Sequence, residues 1–203
     1  MYQTFFVTAI GTDSGKTIAS AILCEALDAY YWKPIQAGNP TDTETVKTLT
    51  KRPIHYFLPE AFCLNMPASP NIAAAAEHKK IELEQIKKPH VNGHLIVEGA
   101  GGILVPINEQ HFVIDIAQKW HIPIILVVNL YLGCINHTLL SVRELRRRNC
   151  EIKGIILNGK KDEAVQQTIT QQTQLPILLH IEQHSVIEHQ HILHYAKIIQ
   201  AAL

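Results

Sequence analysis

The sequence predicts an α/β fold: a largely parallel central sheet with helices on both faces, in three layers. Three observations carry that prediction. Short apolar runs alternate with helical patterns along the chain, as parallel strands joined by crossover helices require. The runs Leu95-Ile96-Val97, residues 122–128 and Ile155-Ile156-Leu157 are continuous in leucine and β-branched residues, as strands covered on both faces should be. A glycine-bearing loop, Gly11-Thr12-Asp13-Ser14-Gly15-Lys16-Thr17, falls between the first strand pattern and the first helix pattern.

Taken in order, residues 4–9 read as the first strand, with Phe5, Phe6 and Val7 at its centre. Residues 16–30 carry apolar side chains at helical spacing (Ile18, Ile22, Ala26; Ala19, Leu23, Leu27), and residues 31–35 form a second short strand. Asp42-Thr43-Glu44-Thr45-Val46 has the chemistry of a helix N-terminal turn. Further helices are expected over residues 112–120, 136–149, 163–173 and 186–202. Between Asn39 and Gly93 the pattern is irregular, punctuated by Pro53, Pro59, Pro67, Pro70 and Pro89. No repeat, low-complexity segment or linker stands out, so residues 1–203 are expected to form one domain.

Composition narrows the function classes. The 203 residues suit one domain burying roughly 70% of its unfolded surface. With 18 basic against 18 acidic residues there is no basic footprint for nucleic acid or an anionic membrane. A hydrophobic content of 47% argues against disorder. The opening MYQTFFVTAIG lacks a basic leader and reads as a strand rather than a signal peptide. No run reaches the ~18 apolar residues of a membrane span. Cys24, Cys63, Cys134 and Cys150 are scattered, so reduced thiols and a cytoplasmic location are expected. The oddity is twelve histidines. Five of them (180, 184, 189, 191, 194) crowd the end of the chain, at spacings that place no consistent metal-binding set on one helix face. A polar helix surface is the expectation there. Arg143-Glu144-Leu145-Arg146-Arg147-Arg148 ends an expected helix, where cations favour the dipole.

The loop carries the chemistry. A phosphate cradle needs glycine for close backbone approach, amides at a helix N-terminus, a lysine for the β- and γ-phosphates and a hydroxyl for Mg²⁺. Gly15, Lys16 and Thr17 supply its last three residues, although Ile10 stands where the strict pattern wants the first glycine. No G-x-G-x-x-G follows a strand, so a polyphosphate with Mg²⁺ is favoured over a dinucleotide. Polar groups also sit where strands should end, the ligand face of a parallel sheet. Lys33-Pro34-Ile35-Gln36-Ala37-Gly38 follows the second strand, its lysine placed to neutralise developing charge. Glu98-Gly99-Ala100-Gly101-Gly102 follows Val97, with an acid suited to a magnesium ligand beside a cleared space.

These residues together resemble the dethiobiotin synthetases. The resemblance runs in order from the first strand to about Gly159 and covers the phosphate loop, Lys33-Pro34, Asp42, Pro67-Ala68-Ser69-Pro70 and Glu98 to Gly102. It continues through Leu132-Gly133-Cys134-Ile135-Asn136-His137-Thr138, its most family-specific string, and Gly154-Ile155-Ile156-Leu157-Asn158-Gly159. Such relatives also lack the strict loop spacing. The resemblance implies a phosphate-loop fold shared with partition and septum-site ATPases, and an ATP- and Mg²⁺-dependent ring closure. In that reaction 7,8-diaminononanoate and CO₂ give dethiobiotin, ADP and phosphate through a carbamate and a carbamic–phosphoric anhydride.

Carried over by position, the resemblance implies that Asp13, Ser14, Gly15, Lys16, Thr17 and Ile18 hold the phosphates. Thr17, Asp42 and Glu98 would hold Mg²⁺, and Lys33, with Lys16, would be catalytic. Gly99, Ala100 and Gly101 would lie against the nucleotide, and Asn158 with Gly159 would meet the adenine. Lys33, Ala37 and the turn Gly133, Cys134, Ile135, Asn136 would contact the diamino acid, in a site completed across a homodimer. An anion at a helix N-terminus needs no basic side chain, which suits the turn's role. Three departures stand out: Ala37 replaces a usual Ser or Thr, Asn71 a usual His, and the segment from Leu175 keeps only Pro176 of the relatives' adenine-closing pattern. A partition-type switch ATPase, the rival reading, would carry a second lysine where Gly11 stands and would lack the 132–136 turn. A cobyrinate-type amidotransferase would require a further glutaminase domain.

Overall fold

The computed structural model describes residues 2–203. β1 (Thr4–Ala9) leads through the loop into α1 (Lys16–Leu27), and the chain returns as β2 (Tyr30–Trp32). β3 (Ile35–Ala37), α2 (Asp42–Thr50), β4 (Phe57–Leu58), β5 (Phe62–Leu64) and α3 (Pro70–Ala76) follow. The second half alternates regularly: β6 (Leu95–Gly102), α4 (Val113–Lys119), β7 (Ile124–Asn129), α5 (Cys134–Arg147), β8 (Ile152–Asn158), α6 (Glu163–Thr173), β9 (Ile177–Ile181), α7 (His189–Ile199). Seven strands form one sheet in the order β4-β2-β6-β1-β7-β8-β9, each neighbouring pair parallel. β3 and β5 pair in parallel as a separate two-stranded ribbon.

Strand alternation divides the core. Phe5, Val7 and Ala9 of β1 pack with α1, α2 and α7 on one face, while Phe6 packs with α3 and α4 on the other. Farther along that second face, Leu126, Val128, Ile155 and Leu157 meet α5 and α6. β1 lies between β6 and β7, so the loop after it opens at the carboxyl ends of the strands where the winding direction changes. That crevice is where open α/β sheets place ligands.

The fold class holds, and several boundaries differ from expectation. The first helix stops at Leu27 rather than at residue 30, because Asp28 takes a left-handed conformation (φ 51°) and its amide closes onto the Cys24 carbonyl. Its carboxylate pairs with Arg52. The expected strand over residues 31–35 divides at Lys33-Pro34, and its second half joins β5 instead of the main sheet. β6 does not end at Val97; it continues through Glu98 to Gly102, so the acid and the small residues expected after the strand belong to it. The helix expected from residue 136 begins at Cys134, and that expected over residues 186–202 begins at His189. In the irregular stretch, Pro70 opens α3 at a position where its missing N–H costs nothing. Three C-terminal histidines are half-buried and each meets a polar partner. His189 Nδ1 lies 2.7 Å from the Leu49 carbonyl, His180 Nε2 2.8 Å from that of Gly159, and His184 Nε2 2.7 Å from the Tyr195 hydroxyl.

Candidate active site

The loop is built by neighbours far away in sequence. Gly15 (φ 93°) caps α1, and a Cβ there would lie 2.3 Å from Asn158 Nδ2. That same amide donates to the Ser14 carbonyl at 3.0 Å, so the end of β8 buttresses the loop. Buried Ser14 turns its hydroxyl inward, 2.9 Å from Asn129 Oδ1 at the end of β7 and 3.1 Å from the Gly11 carbonyl. Gly15→Ala should therefore strain the backbone and displace Asn158 together. The expected result is a lower melting temperature and about a tenfold or greater loss of ADP affinity, read by calorimetry.

At the foot of the loop two cations face two anions. Lys33 is 3% exposed, with Nζ 2.6 Å from Asp42 Oδ2, 3.0 Å from Glu98 Oε1 and 3.1 Å from the Gly99 carbonyl. Thr17 Oγ1 shares its proton between Asp42 Oδ1 (2.8 Å) and Glu98 Oε1 (3.1 Å). Burial works to discharge Lys33, but Glu98 and Asp42 together outweigh it and raise its pKa above the usual lysine value. Burial likewise works to protonate Asp42; Lys33 and the Thr17 hydrogen bond reverse this and hold the carboxyl below its usual range. Lys16, buried with Nζ 3.3 Å from the Gly11 carbonyl, has a lowered pKa, first through burial and then through Lys33.

Local structure explains the placement. Thr41 and Glu44 form a reciprocal capping box that starts α2, so Asp42 falls in its first turn. The Gln36 side-chain oxygen accepts the Asp42 amide at 3.1 Å, tying that turn to β3. Its amide nitrogen donates to the Gly38 carbonyl at 3.1 Å, so Gln36 is already committed and does not substitute for the hydroxyl missing at Ala37. Ser69 is committed too, donating to Asn71 at 2.8 Å.

A cavity of about 790 Å³ opens beside this cluster. Of the residues singled out by sequence, Asp13 to Ile18, Lys33, Ala37, Asp42, Glu98, Ala100 and Gly101 line it, with Pro67 to Pro70 forming a further wall. Gly99 does not: a Cβ there would meet Phe6 and Val113 at 3.0 Å, so this glycine lets β6 pack on the core. Asn158 and Gly159 lie behind the loop; Gly159 donates to the Ile181 carbonyl at 2.9 Å. The 133–136 turn is also outside the cavity. Gly133 (φ 110°) caps α5, Cys134 is buried, and its amide is spent on the Tyr131 carbonyl at 3.0 Å. The Ile135 and Asn136 amides precede the first donor closing the helix, His137 to Gly133. Leu132 beside them is wholly exposed, with Tyr131 and Leu140 also exposed.

Sequence reasoning missed Tyr31, whose buried hydroxyl lies 3.0 Å from Glu98 Oε2, and Asn129 behind Ser14. Asn129 had a signal, a polar residue closing an apolar strand next to the loop. Tyr31 had none, since it reads as one more aromatic of a buried strand.

The donor set suits a hard divalent cation. Thr17, Asp42 and Glu98 bring only oxygen together, and among the described residues no group of three or more His, Cys, Asp or Glu side chains converges anywhere. Two carboxylates and a hydroxyl leave coordination positions to phosphate oxygens and water, which is how Mg²⁺ is held in phosphoryl-transfer sites.

Comparison with known proteins agrees. The sequence profile described as an AAA domain matches residues 3–191. The ATP-dependent dethiobiotin synthetase BioD of Cytophaga hutchinsonii is 46% identical over 196 residues, covering 96% of this chain and 95% of the relative. That of Christiangramia forsetii is 38% identical over 97% of this chain and 96% of its own. Among solved structures, the cell division ATPase MinD of Pyrococcus furiosus superposes with a TM-score of 0.61 over the whole of both chains at 14% identity. The ParA family ATPase of Chlorobium tepidum superposes at 0.57 and 13%, covering 98% of this chain and 96% of its own. These distant likenesses establish the phosphate-loop NTPase fold. The identity to the synthetases, sustained along nearly the full length of both chains, decides the family: the chain belongs to the ATP-dependent dethiobiotin synthetases.

Proposed function

We propose that this chain is a biotin-pathway ligase that closes the ureido ring of dethiobiotin from 7,8-diaminononanoate, CO₂ and ATP. The observation that carries the reading is the meeting of Lys33, Asp42, Glu98 and Thr17 at the foot of the phosphate loop, beside a cavity large enough for nucleotide and substrate. Phosphoryl transfer needs positioning and charge neutralisation more than covalent help, and this cluster offers both.

Lys16 and the amides of residues 13–18 grip the phosphates. Thr17, Asp42 and Glu98 would hold Mg²⁺, which neutralises phosphate charge when bound. Lys33 keeps its proton at neutral pH because two carboxylates face it, so it presents a fixed positive charge to the carbamate and to the phosphoryl group in flight. One substrate amine first adds to CO₂ and loses a proton. A carbamate oxygen attacks the γ-phosphorus and ADP leaves. The second amine then attacks the carbamoyl carbon and gives up a proton; the carbon–oxygen bond to the phosphoryl group breaks, phosphate leaves and the ring closes. Ala37 and the 67–70 wall, next to Lys33, suit the diamine end of the substrate. Asn158 retains its carbonyl oxygen and one amide hydrogen for the adenine edge, and Gly159 stands beside it.

The carboxylate end fits the free amides of Ile135 and Asn136. These lie outside this chain's own cavity, which supports a homodimer in which the 133–136 turn of one protomer serves its partner's site. The exposed Leu132, Tyr131 and Leu140 supply apolar surface for that contact. A single catalytic domain per protomer is sufficient for this arrangement. The cysteines are free, which suits a reducing cytoplasm, and among the described residues no helix is long and apolar enough to cross a membrane.

Phosphate release from MgATP should require both bicarbonate and the diamino acid, with dethiobiotin formed in equal amount by mass spectrometry. ATP turnover with neither present, or stimulated only by another protein or DNA, would instead identify a switch ATPase.

A further inference from the structure

Tyr31 occupies a position where an apolar core would accept phenylalanine. It is completely buried, it packs among the side chains between the sheet and α1, and its ring lies 6.3 Å from that of Phe57. A phenol in such a place needs a partner for its hydroxyl. Strand register supplies one. Tyr31 of β2 aligns with Ile96 of β6, so Glu98, two residues on, projects from the same face within diagonal reach. The hydroxyl donates to Glu98 Oε2 at 3.0 Å.

That contact makes the two oxygens of one buried carboxylate unequal. Oε2 is held by Tyr31 from the core side; Oε1 meets Thr17 at 3.1 Å and Lys33 at 3.0 Å on the cavity side. Glu98 itself is wholly buried, and the side chains of Tyr31, Thr17 and Lys33 fix its rotation. We propose that Tyr31 is a positioning residue for cation binding: its hydroxyl anchors Glu98 Oε2 so that Oε1 alone is presented to the metal. The inference rests on the reading of Glu98 as a cation ligand. It gives a role to a side chain that does not line the cavity, in keeping with the general importance of groups that orient metal ligands.

The test is a Mn²⁺ titration of the ADP complex, followed by electron paramagnetic resonance, in the wild type and in Tyr31→Phe, Phe57→Leu and Glu98→Gln. Tyr31→Phe keeps the ring and should weaken Mn²⁺ by about tenfold or more, the usual effect of losing such a partner. ADP affinity without the cation should be unchanged. Phe57→Leu, which disturbs the same packing without touching Glu98, should bind Mn²⁺ like the wild type. In the wild type, Mg²⁺ added to the ADP complex should also shift the near-ultraviolet tyrosine band, and Tyr31→Phe should lose that shift. Equal Mn²⁺ affinity in Tyr31→Phe and wild type, an equal loss in Phe57→Leu, or no tyrosine shift in the wild type each overturns the positioning role. If Glu98→Gln also binds Mn²⁺ like the wild type, the ligand assignment fails with it; if Glu98→Gln is weakened, only the Tyr31 inference falls.

Discussion

Lys33→Met should lower turnover with ATP, bicarbonate and the diamino acid by about 10²–10³-fold, the loss expected when one fixed charge aimed at developing charge is removed. Methionine keeps the length of the side chain and deletes only the ammonium. ADP affinity should change much less, because Lys33 sits beside the carboxylates rather than within the loop. The same variant carries a second signature. Without Lys33, the wholly buried Glu98 loses its paired cation, and breaking such a buried pair costs about 3–5 kcal/mol. Chemical denaturation of the nucleotide-free variant should show that loss, and MgADP should restore much of it. Divalent cation alone should bind the variant more tightly than the wild type, since the ammonium no longer competes for the same oxygens. Wild-type turnover in Lys33→Met would remove Lys33 from the reaction.

Lys16→Ala should show the opposite division. Its ammonium is buried at the loop, held by a single carbonyl contact at 3.3 Å, and is available to phosphate. Truncating one partner of a buried charge pair costs about 2–5 kcal/mol, so ATP and ADP affinity should fall about 30-fold or more by isothermal calorimetry. Stability of the free protein should hold or rise, because burial and the neighbouring Lys33 both already disfavour this charge. An unchanged ADP affinity would show that the loop amides and Thr17 suffice to hold the phosphates. Measured side by side, the two lysines should separate binding from turnover.

What was legible beforehand followed from local rules. β1 and α6 fall at their expected bounds because apolar periodicity and flanking polar residues are read within one element. Asp42 was placed correctly because an acidic residue at the start of Asp42-Thr43-Glu44 marks a helix N-terminal turn; the structure adds the Thr41–Glu44 capping box that sets it. Most of the differences arise from residues outside the segment being read. Residues 16–30 read as one periodic helix pattern, whereas Asp28 takes the left-handed stop and its carboxylate meets Arg52, 24 residues on. The strand was expected to end at Val97 because glycine usually weakens a strand; here Gly99 clears room for Phe6 and Val113 and lets the strand continue. The 31–35 run divided because Pro34 offers no N–H to a ladder, so the strand leaves the main sheet there.

By itself, then, the sequence determined the fold class and the phosphate loop, because strand and helix patterns and the Gly15-Lys16-Thr17 junction are each read within short segments. Only the tertiary structure decided how the groups of the site are arranged. Asn158 reaches the loop across 144 residues and Tyr31 reaches Glu98 across 67, and both contacts exist because of the order and register of strands in one sheet. Register is settled by the simultaneous packing of both sheet faces, which no single segment encodes.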